Sequence, residues 1–211
     1  MQTPDIDSII QKTTPTVMVP TSRELEPLKE YGQRYLVASD GLWIEIKRAW
    51  VHIVWPVALN NDFPIPYGLL EKKVEFAFSG KLPVSLLYDF LAQAKQSFPL
   101  ETAAWVIWDS KADSFKLLPL HASISSHSYL ELERPSLGES EHLIMDIHSH
   151  GKHSACFSPE DDRDDRFEVK IAAVVGNVMG ERVSMKFRLC TGGRFVDLNV
   201  WGDGESEGGE G

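Results

Sequence analysis

The segment 146–161 limits what this chain can fold into more strongly than any other stretch of its sequence. It begins inside an apolar run, which predicts a buried strand. His148 and His150 are two residues apart, so on an extended chain both side chains point to the same face of a sheet. Ser158, followed by Pro159 and two acidic residues, has the chemistry of a helix start. We therefore expect one strand, one loop and the first turn of one helix.

Asp161 lies one turn into this predicted helix, where its carboxylate can face back toward the two imidazoles. Two histidines and one carboxylate form the ligand set of a catalytic zinc site that leaves its fourth position to water. The acidic run 161–166 continues past this position, and we expect most of it on a solvated helix face with i,i+3 and i,i+4 charge pairs. Asp162 and Asp164 are the alternatives for the third ligand. The alternative for the two histidines is a structural pair.

The spacing of these residues, H-x-H-x7-S-x-x-D, resembles the metal-binding signature of the JAMM metalloproteases of the Mov34/MPN/PAD-1 family. The resemblance covers about residues 80–200. It implies an α/β (α+β) fold, an MPN/JAMM-type mixed β-sheet sandwiched by helices. It also implies that His148, His150 and Asp161 bind one Zn²⁺ per chain. The sequence departs from the pattern at Gly151, where many members carry proline, and this departure removes no ligand.

The resemblance also assigns catalytic roles to Glu101 and Ser158. Glu101 lies between a helical pattern and the apolar run that begins at Ala103, which is where the family places its upstream glutamate. Its implied role is to accept a proton from the attacking water and pass it to the leaving amine. Ser158 would donate a hydrogen bond to the developing oxyanion. The implied reaction is hydrolysis of an amide or isopeptide bond in a protein or peptide substrate, such as the tail of a ubiquitin-like protein.

Three other interpretations remain open at this point. The chain could be a non-catalytic MPN scaffold that mediates protein–protein interactions. Cys156 could be a nucleophile with a nearby histidine as its base, although its neighbours Ala155 and Phe157 favour a packed loop cysteine. His153 either lines the site or lies exposed in the loop. His52, which alternates with aromatic residues in a strand-like run, is expected to be structural.

The sequence predicts three regions of different character. Residues 1–75 form an N-terminal extension that is partly β, 80–200 form the domain with the metal signature, and 202–211 form a disordered acidic tail. Within the extension, 1–22 are expected to lack regular structure and 23–35 carry a weak helical pattern. Two strands are then expected around a turn with the sequence Ser-Asp-Gly.

The domain with the metal signature is expected to begin with a helix after Pro83, followed by strands. The predicted buried stripe of that helix consists of Leu87, Phe90, Leu91 and Ala94. The expected strands lie over 103–109, 115–120, 123–133, 143–148 and 169–176, with a final hairpin over 183–189 and 195–200.

Composition excludes several classes of protein. The net charge of -10 argues against a general nucleic-acid binder, which needs a basic face. Apolar runs fall short of the roughly 18 residues that cross a membrane, and the N-terminus lacks the pattern of a secretory signal. Two cysteines do not make a disulfide framework, so we expect a cytoplasmic protein. The sequence indicates neither the oligomeric state nor the identity of the substrate.

Overall fold

The computed structural model describes residues 5–60, 62–79, 81–120, 122–126, 129–132 and 134–199. The chain separates into two compact units, Met1–Ser79 and Gly80–Gly211, and each contains a β-sheet of its own. The acidic tail predicted over 202–211 lies outside the described residues. In the part of the chain that is described, no helix is long and apolar enough to cross a lipid bilayer.

The N-terminal unit is a five-stranded sheet with the strands in sequence order. Its elements are α1 (Ile6–Thr13), β1 (Thr16–Met18), β2 (Gly32–Ala38), β3 (Gly41–Lys47), β4 (Val51–Leu59) and β5 (Lys73–Phe76). β1 runs parallel to β2, and the remaining neighbours are antiparallel. The turn between β2 and β3 needs glycine, because Gly41 has a φ of +138° and a Cβ there would lie 2.2 Å from the carbonyl oxygen of Ala58.

Two expectations for the first 35 residues are wrong. The stretch over 1–22 contains α1 and β1, and the stretch over 23–35 contains no helix in the structure. Side chains from the sheet form hydrogen bonds with backbone groups that would be paired within the segment if it were helical. The amide of Leu28 donates to Glu45, and the ammonium of Lys47 donates to the carbonyls of Leu28 and Lys29 at 2.9 and 2.8 Å.

Glu45 is the buried anion at the centre of this arrangement, with a relative exposure of 1%. Its carboxylate accepts hydrogen bonds from the Leu28 amide at 2.9 Å and from Arg34 Nε at 2.6 Å. His52 Nε2 lies 2.8 Å from the same carboxylate, which gives His52 a structural role. Burial acts to raise the pKa of Glu45, but the Leu28 amide, His52 and Arg34 together lower it below its usual value.

The C-terminal unit is a six-stranded sheet that carries helices and a small separate hairpin. Its elements are α2 (Ser85–Ser97), β6 (Ala103–Asp109), β7 (Ser114–Leu120), β8 (Ala122–Ser126), β9 (Tyr129–Leu132), β10 (Glu141–Ser149), α3 (Pro159–Asp165), β11 (Val169–Gly176), β12 (Ser184–Thr191) and β13 (Phe195–Asp197). The large sheet has the order β13-β12-β11-β10-β6-β7. β10 and β11 are parallel, so the chain crosses over between them, and α3 is that crossover.

The two strands that flank β10 in this sheet are buried on both faces. β6 is buried at six of its seven positions and β11 at seven of its eight, as expected of strands that are covered on both sides. α2 lies against β6 and β7. α3 is joined to β11 and β12 by ion pairs from Asp165 to Lys170 and Arg188. The mixed α+β fold predicted from the sequence is confirmed.

Local details differ from the sequence-based expectation. The single strand expected over 123–133 is a pair of short antiparallel strands, β8 and β9. The buried stripe of α2 consists of Leu86, Phe90 and Ala94. Leu87 and Leu91, which we expected in this stripe, are only partly buried. Adjacent helix positions are about 100° apart, so the docking of α2 decides which leucine faces the core.

Replacing Glu45 with glutamine tests the buried charge network of the N-terminal unit. We expect Glu45→Gln to lower the free energy of local unfolding by about 3 kcal/mol at pH 7, because Arg34 and His52 lose their anionic partner. Because the folded pKa of Glu45 lies below its unfolded value, its contribution is present above the unfolded pKa and is lost as the pH falls through the folded pKa. The difference in the free energy of local unfolding between wild type and Glu45→Gln should therefore become smaller at acid pH.

Hydrogen exchange of peptides from β2 to β4, measured by mass spectrometry at pH 7 and at acid pH, reports the free energy of local unfolding of this unit alone. The matched control is Glu75→Gln, because Glu75 lies in the same sheet and pairs with Lys73 on the surface. If Glu45→Gln loses no more free energy of local unfolding than the control does, the proposed role of Glu45 is contradicted.

Candidate metal centre

The two histidines of the signature lie at the carboxyl end of the central strand β10. His148 pairs in register with Ala103 on β6 and with Val174 on β11. His150 follows the end of the strand, and its amide donates to the carbonyl of Val175 at 2.8 Å. Both edges of β10 are therefore paired with other strands, and the two histidines lie at its carboxyl end.

The loop after His150 is folded against the ends of neighbouring strands. Gly151 has a φ of +53°, which proline cannot adopt, so this loop conformation explains the departure from the family pattern. The carbonyl of Gly151 accepts from the amide of Val178 at 2.9 Å. At Gly176 a Cβ would lie 2.3 Å from the carbonyl oxygen of His153. Glycine at that position lets the loop approach the end of β11 closely.

Ser158 and Asp161 form a reciprocal cap at the start of α3. The Ser158 hydroxyl accepts from the Asp161 amide at 3.2 Å. The Ser158 amide and hydroxyl both donate to Asp161 Oδ2, at 2.6 and 2.7 Å. Because two donors hold Oδ2, the other carboxylate oxygen is directed toward the histidines. The cap therefore orients Asp161 as well as starting the helix.

The structure brings His148, His150 and Asp161 together, with one candidate ligand atom from each lying within 4.8 Å of the others. His148 Nε2 is 3.1 Å from His150 Nε2 and 3.4 Å from Asp161 Oδ1. Tetrahedral zinc binds nitrogen and oxygen at about 2.0–2.1 Å, which places its ligand atoms roughly 3.3 Å apart. The two separations from His148 are close to this value, so the donor set fits a zinc site.

The pKa shifts of His150 and Asp161 also suit a metal. Burial, together with the neighbouring His148, lowers the pKa of His150 and favours the neutral imidazole. Burial acts to raise the pKa of Asp161, but His148 and the hydrogen bonds from Ser158 lower it below its usual value. Neutral imidazoles and an ionised carboxylate are the forms that ligate zinc.

Glu101 lies close enough to the site to interact electrostatically with His150 and Asp161. Burial raises its pKa, and Asp161 raises it further, against the opposing effects of His150 and His153. A carboxyl group with a raised pKa is a stronger base than an ordinary carboxylate, which suits it to accept a proton. The catalytic role of Glu101 stays a prediction.

A group of polar contacts that the sequence did not reveal holds the backbone beside Glu101. The amide of Ser149 donates to the carbonyl of Thr102 at 2.9 Å, and the amide of Thr102 donates to Ser149 Oγ at 3.1 Å. Gln93 Nε2, on α2, donates to Thr102 Oγ1 at 2.8 Å. Ser149 is fully buried between the two histidines. Its place between the two signature histidines was the available signal.

Cys156 is exposed, so the expectation of a packed loop cysteine is wrong. Its sulfur lies 3.8 Å from His150 Nδ1, a separation within reach of a weak thiol hydrogen bond. His153 is exposed, and its charge acts on both Glu101 and His150. His153 thus lies in the loop and near the site at once. Asp162 and Asp164, the alternatives for the third ligand, are not part of the cluster that the structure brings together.

Comparison with protein families agrees with this geometry. Residues 83–190 match the family described as prokaryotic homologs of the JAB domain. The match covers more than half of the chain, and the protein belongs to this family. Residues 4–77 match a domain of unknown function, DUF2016. A comparison with curated proteins finds no match.

Metal analysis tests the donor set directly. We expect the purified protein to hold about one zinc per chain and His148→Ala to lose it, because two donors no longer enclose the ion. The matched control is His142→Ala, because His142 lies on the same strand and its ring packs near that of Trp108. Elemental analysis after dialysis gives the zinc content. Unchanged zinc in His148→Ala would remove this residue from the ligand set.

Proposed function

We propose that this protein is a zinc-dependent metallopeptidase, with isopeptidase-type activity, that hydrolyses an amide bond at the tail of a ubiquitin-like or similar small protein. The convergence of His148, His150 and Asp161 near the half-buried Glu101 carries this proposal. Such a donor set leaves one coordination position for water. Zinc bound there would supply Lewis-acid activation of water and of the scissile carbonyl.

In this proposal Glu101 is the general base. Its carboxylate accepts the proton of the attacking water and then donates it to the leaving amine. Burial raises the pKa of Glu101, and a carboxylate with a raised pKa binds the proton of the attacking water more strongly. The carboxyl of Asp161 is unsuited to this work because its pKa is lowered.

The hydroxyl of Ser158 has one proton, which can be donated either to Asp161 or to a developing oxyanion. In the structure that proton is donated to Asp161 Oδ2 at 2.7 Å. Stabilising an oxyanion, which can be worth about 3 kcal/mol, requires the hydroxyl to turn away from Asp161. The Ser158 amide, which also donates to Oδ2 at 2.6 Å, would then hold the carboxylate alone.

A cysteine hydrolase is the second candidate, and the distance of 3.8 Å between Cys156 Sγ and His150 Nδ1 favours it. A nucleophilic cysteine needs a histidine within hydrogen-bond reach. Against this candidate, the other nitrogen of His150 faces His148 at 3.1 Å, where a metal site places it. A non-catalytic scaffold is the third candidate. A scaffold has no need for three convergent donors, and this chain has them.

The substrate class rests on resemblance and on the shape of the site. The layout, a short N-terminal region before a JAMM core rich in aspartate after its serine, is similar to the A protein of the bacterial PRTRC plasmid-associated gene system. Such systems are described as carrying activating-enzyme-like and ubiquitin-like components. A flexible tail with small residues suits a site at the end of a central strand, because bulky side chains would hinder its approach to the donors. The net charge of -10 favours a basic partner surface.

Replacing Glu101 with glutamine tests whether Glu101 acts as the general base or as a metal ligand. We expect Glu101→Gln to keep its zinc and its fold but to lower kcat by about 10²- to 10⁴-fold, because an amide cannot accept the proton. The matched control, Glu160→Gln, alters an exposed acid in the first turn of α3 and should keep its activity. Zinc content and turnover are measured on the same samples. Wild-type turnover in Glu101→Gln, or loss of its zinc, would contradict the assignment.

Cys156→Ser distinguishes the two hydrolase mechanisms in the same assay. A hydroxyl can keep the polar contact with His150 Nδ1, so the metallopeptidase should retain most of its turnover. A cysteine hydrolase should lose nearly all of it.

The substrate class is tested with casein and with fusions that carry ubiquitin-like tails. We expect a single cut after a short tail of small residues and little digestion of casein, because the site accepts an extended tail rather than unfolded chains in general. Mass spectrometry identifies the cut. The control is the same fusion with tryptophan in place of the two residues before the cut. Broad digestion of casein with intact tails would exclude this substrate class.

A further inference from the structure

A cluster of five charged residues, here called the charge clamp, includes residues from the chain elements that carry the candidate metal ligands. Lys170 Nζ is 3.0 Å from Asp146 Oδ2 and 2.8 Å from Asp165 Oδ1. Arg188 binds the other oxygen of Asp165 at 2.8 Å and Asp162 Oδ1 at 2.5 Å. The charge clamp therefore connects β10, β11 and β12 with α3.

Three members of the charge clamp are almost fully buried. The relative exposure is 5% for Lys170, 6% for Asp165 and 3% for Arg188. Taking such charges out of water costs free energy, and the ion pairs only offset this cost. Net stability is therefore a weak reason for the cluster. A geometric role, fixing one element against another, is the better physical reason.

The composition of α3 shows why it needs such a device. Apart from Pro159, every residue of this seven-residue helix is charged. Of the residues of α3, all of which the structure describes, only Asp165 is buried. A helix normally docks through an apolar stripe, which α3 lacks. Its position on the sheet therefore depends on the ion pairs from Asp162 and Asp165.

The charge clamp joins the two elements that carry the candidate ligands. Asp146 lies two residues before His148 on the same face of β10. Asp162 directly follows Asp161. Arg188 also lies between two aromatic rings, with its guanidinium carbon 3.8 Å from the ring centre of Phe157 and 3.8 Å from that of Phe195. Phe157 directly precedes the N-cap of α3, so Arg188 contacts the chain just before the helix and, through Asp162, within its first turn.

We propose that Lys170 and Arg188 are positioning residues of the metal site, which hold the first turn of α3 so that Asp161 meets His148 and His150. This inference rests on the proposed function only in that the site must bind zinc; it does not depend on hydrolysis. Arg188 acts on α3 through Asp162, Asp165 and the ring of Phe157. Lys170 connects α3 to the strand of His148 through Asp165 and Asp146.

The test is the zinc affinity of Arg188→Lys, measured by competition with a chelator on folded protein. Lysine keeps the charge but cannot bind two carboxylates with a planar fork or stack between two rings. We expect zinc binding to weaken by about 10- to 100-fold, the usual effect of removing a group that supports a metal ligand. The matched control is Arg182→Lys, because Arg182 lies exposed in the loop before β12. Its affinity should equal that of wild type.

A second variant tests the charge clamp without altering any charged side chain. Phe195→Leu removes one of the two rings on Arg188 and leaves every ion pair in place. We expect a smaller loss of zinc affinity, of a few fold. Circular dichroism and thermal unfolding of the metal-free proteins show that each variant is folded at the assay temperature. Reduced thermal stability with wild-type zinc affinity would mean a purely structural role and would overturn the proposal.

A double-mutant comparison shows whether Arg188 acts through Asp161. In an Asp161→Asn background, Arg188→Lys should cause little further loss of zinc affinity, because the ligand that it positions is already impaired. The absorption spectrum of bound Co²⁺ should change in Arg188→Lys and stay unchanged in Arg182→Lys. Equal losses in both backgrounds, or an unchanged Co²⁺ spectrum, would overturn the proposal.

The outcomes for the charge clamp and for the proposed function are distinguishable. If wild type binds zinc and Arg188→Lys binds it equally well, only the positioning role fails. If wild type binds zinc and hydrolyses none of the candidate substrates, the proposed function fails and the positioning role is still measured. If wild type binds no zinc under any loading condition, both are overturned.

Discussion

The parallel pairing of β10 with β11 is the constraint on which the rest of the site depends. Parallel neighbours require a crossover, and the crossover here is a loop followed by α3. The carboxyl end of β10 and the start of α3 therefore come to the same edge of the sheet. His148 and His150 arrive from the strand, and Asp161 arrives from the helix. An antiparallel connection by a short turn would not place a helix start beside the two imidazoles.

Polar and ionic contacts, more than apolar packing, hold the site in place. The reciprocal cap of Ser158 directs one oxygen of Asp161 toward His148. Buried ion pairs from Lys170 and Arg188 dock a helix that has no apolar stripe. These interactions are directional and short in range. They specify where the first turn of α3 lies, whereas the apolar strands beneath provide a rigid base.

Two carboxyl groups of the site have their pKa values shifted in opposite directions. Asp161, beside His148 and hydrogen-bonded by Ser158, has a lowered pKa, which favours the ionised carboxylate that a metal would require. Glu101, raised by burial and by the charge of Asp161, is suited to proton transfer. Neighbouring acids with different environments divide the work of a site between them. The negative charge of Asp161 therefore has two effects: it attracts a cation, and it raises the pKa of Glu101.

The sequence by itself determined what depends on neighbouring residues. The period of two along a strand predicts that His148 and His150 share a face, and the order Ser158-Pro159 predicts a helix start, because both effects act over a few residues. Tertiary structure alone decided the rest. It brought Cys156 to His150, paired Lys170 and Arg188 with α3, and turned the expected disorder near the N-terminus into α1 and β1. These contacts join residues far apart in the chain or depend on how whole elements dock, and local patterns carry no information about either.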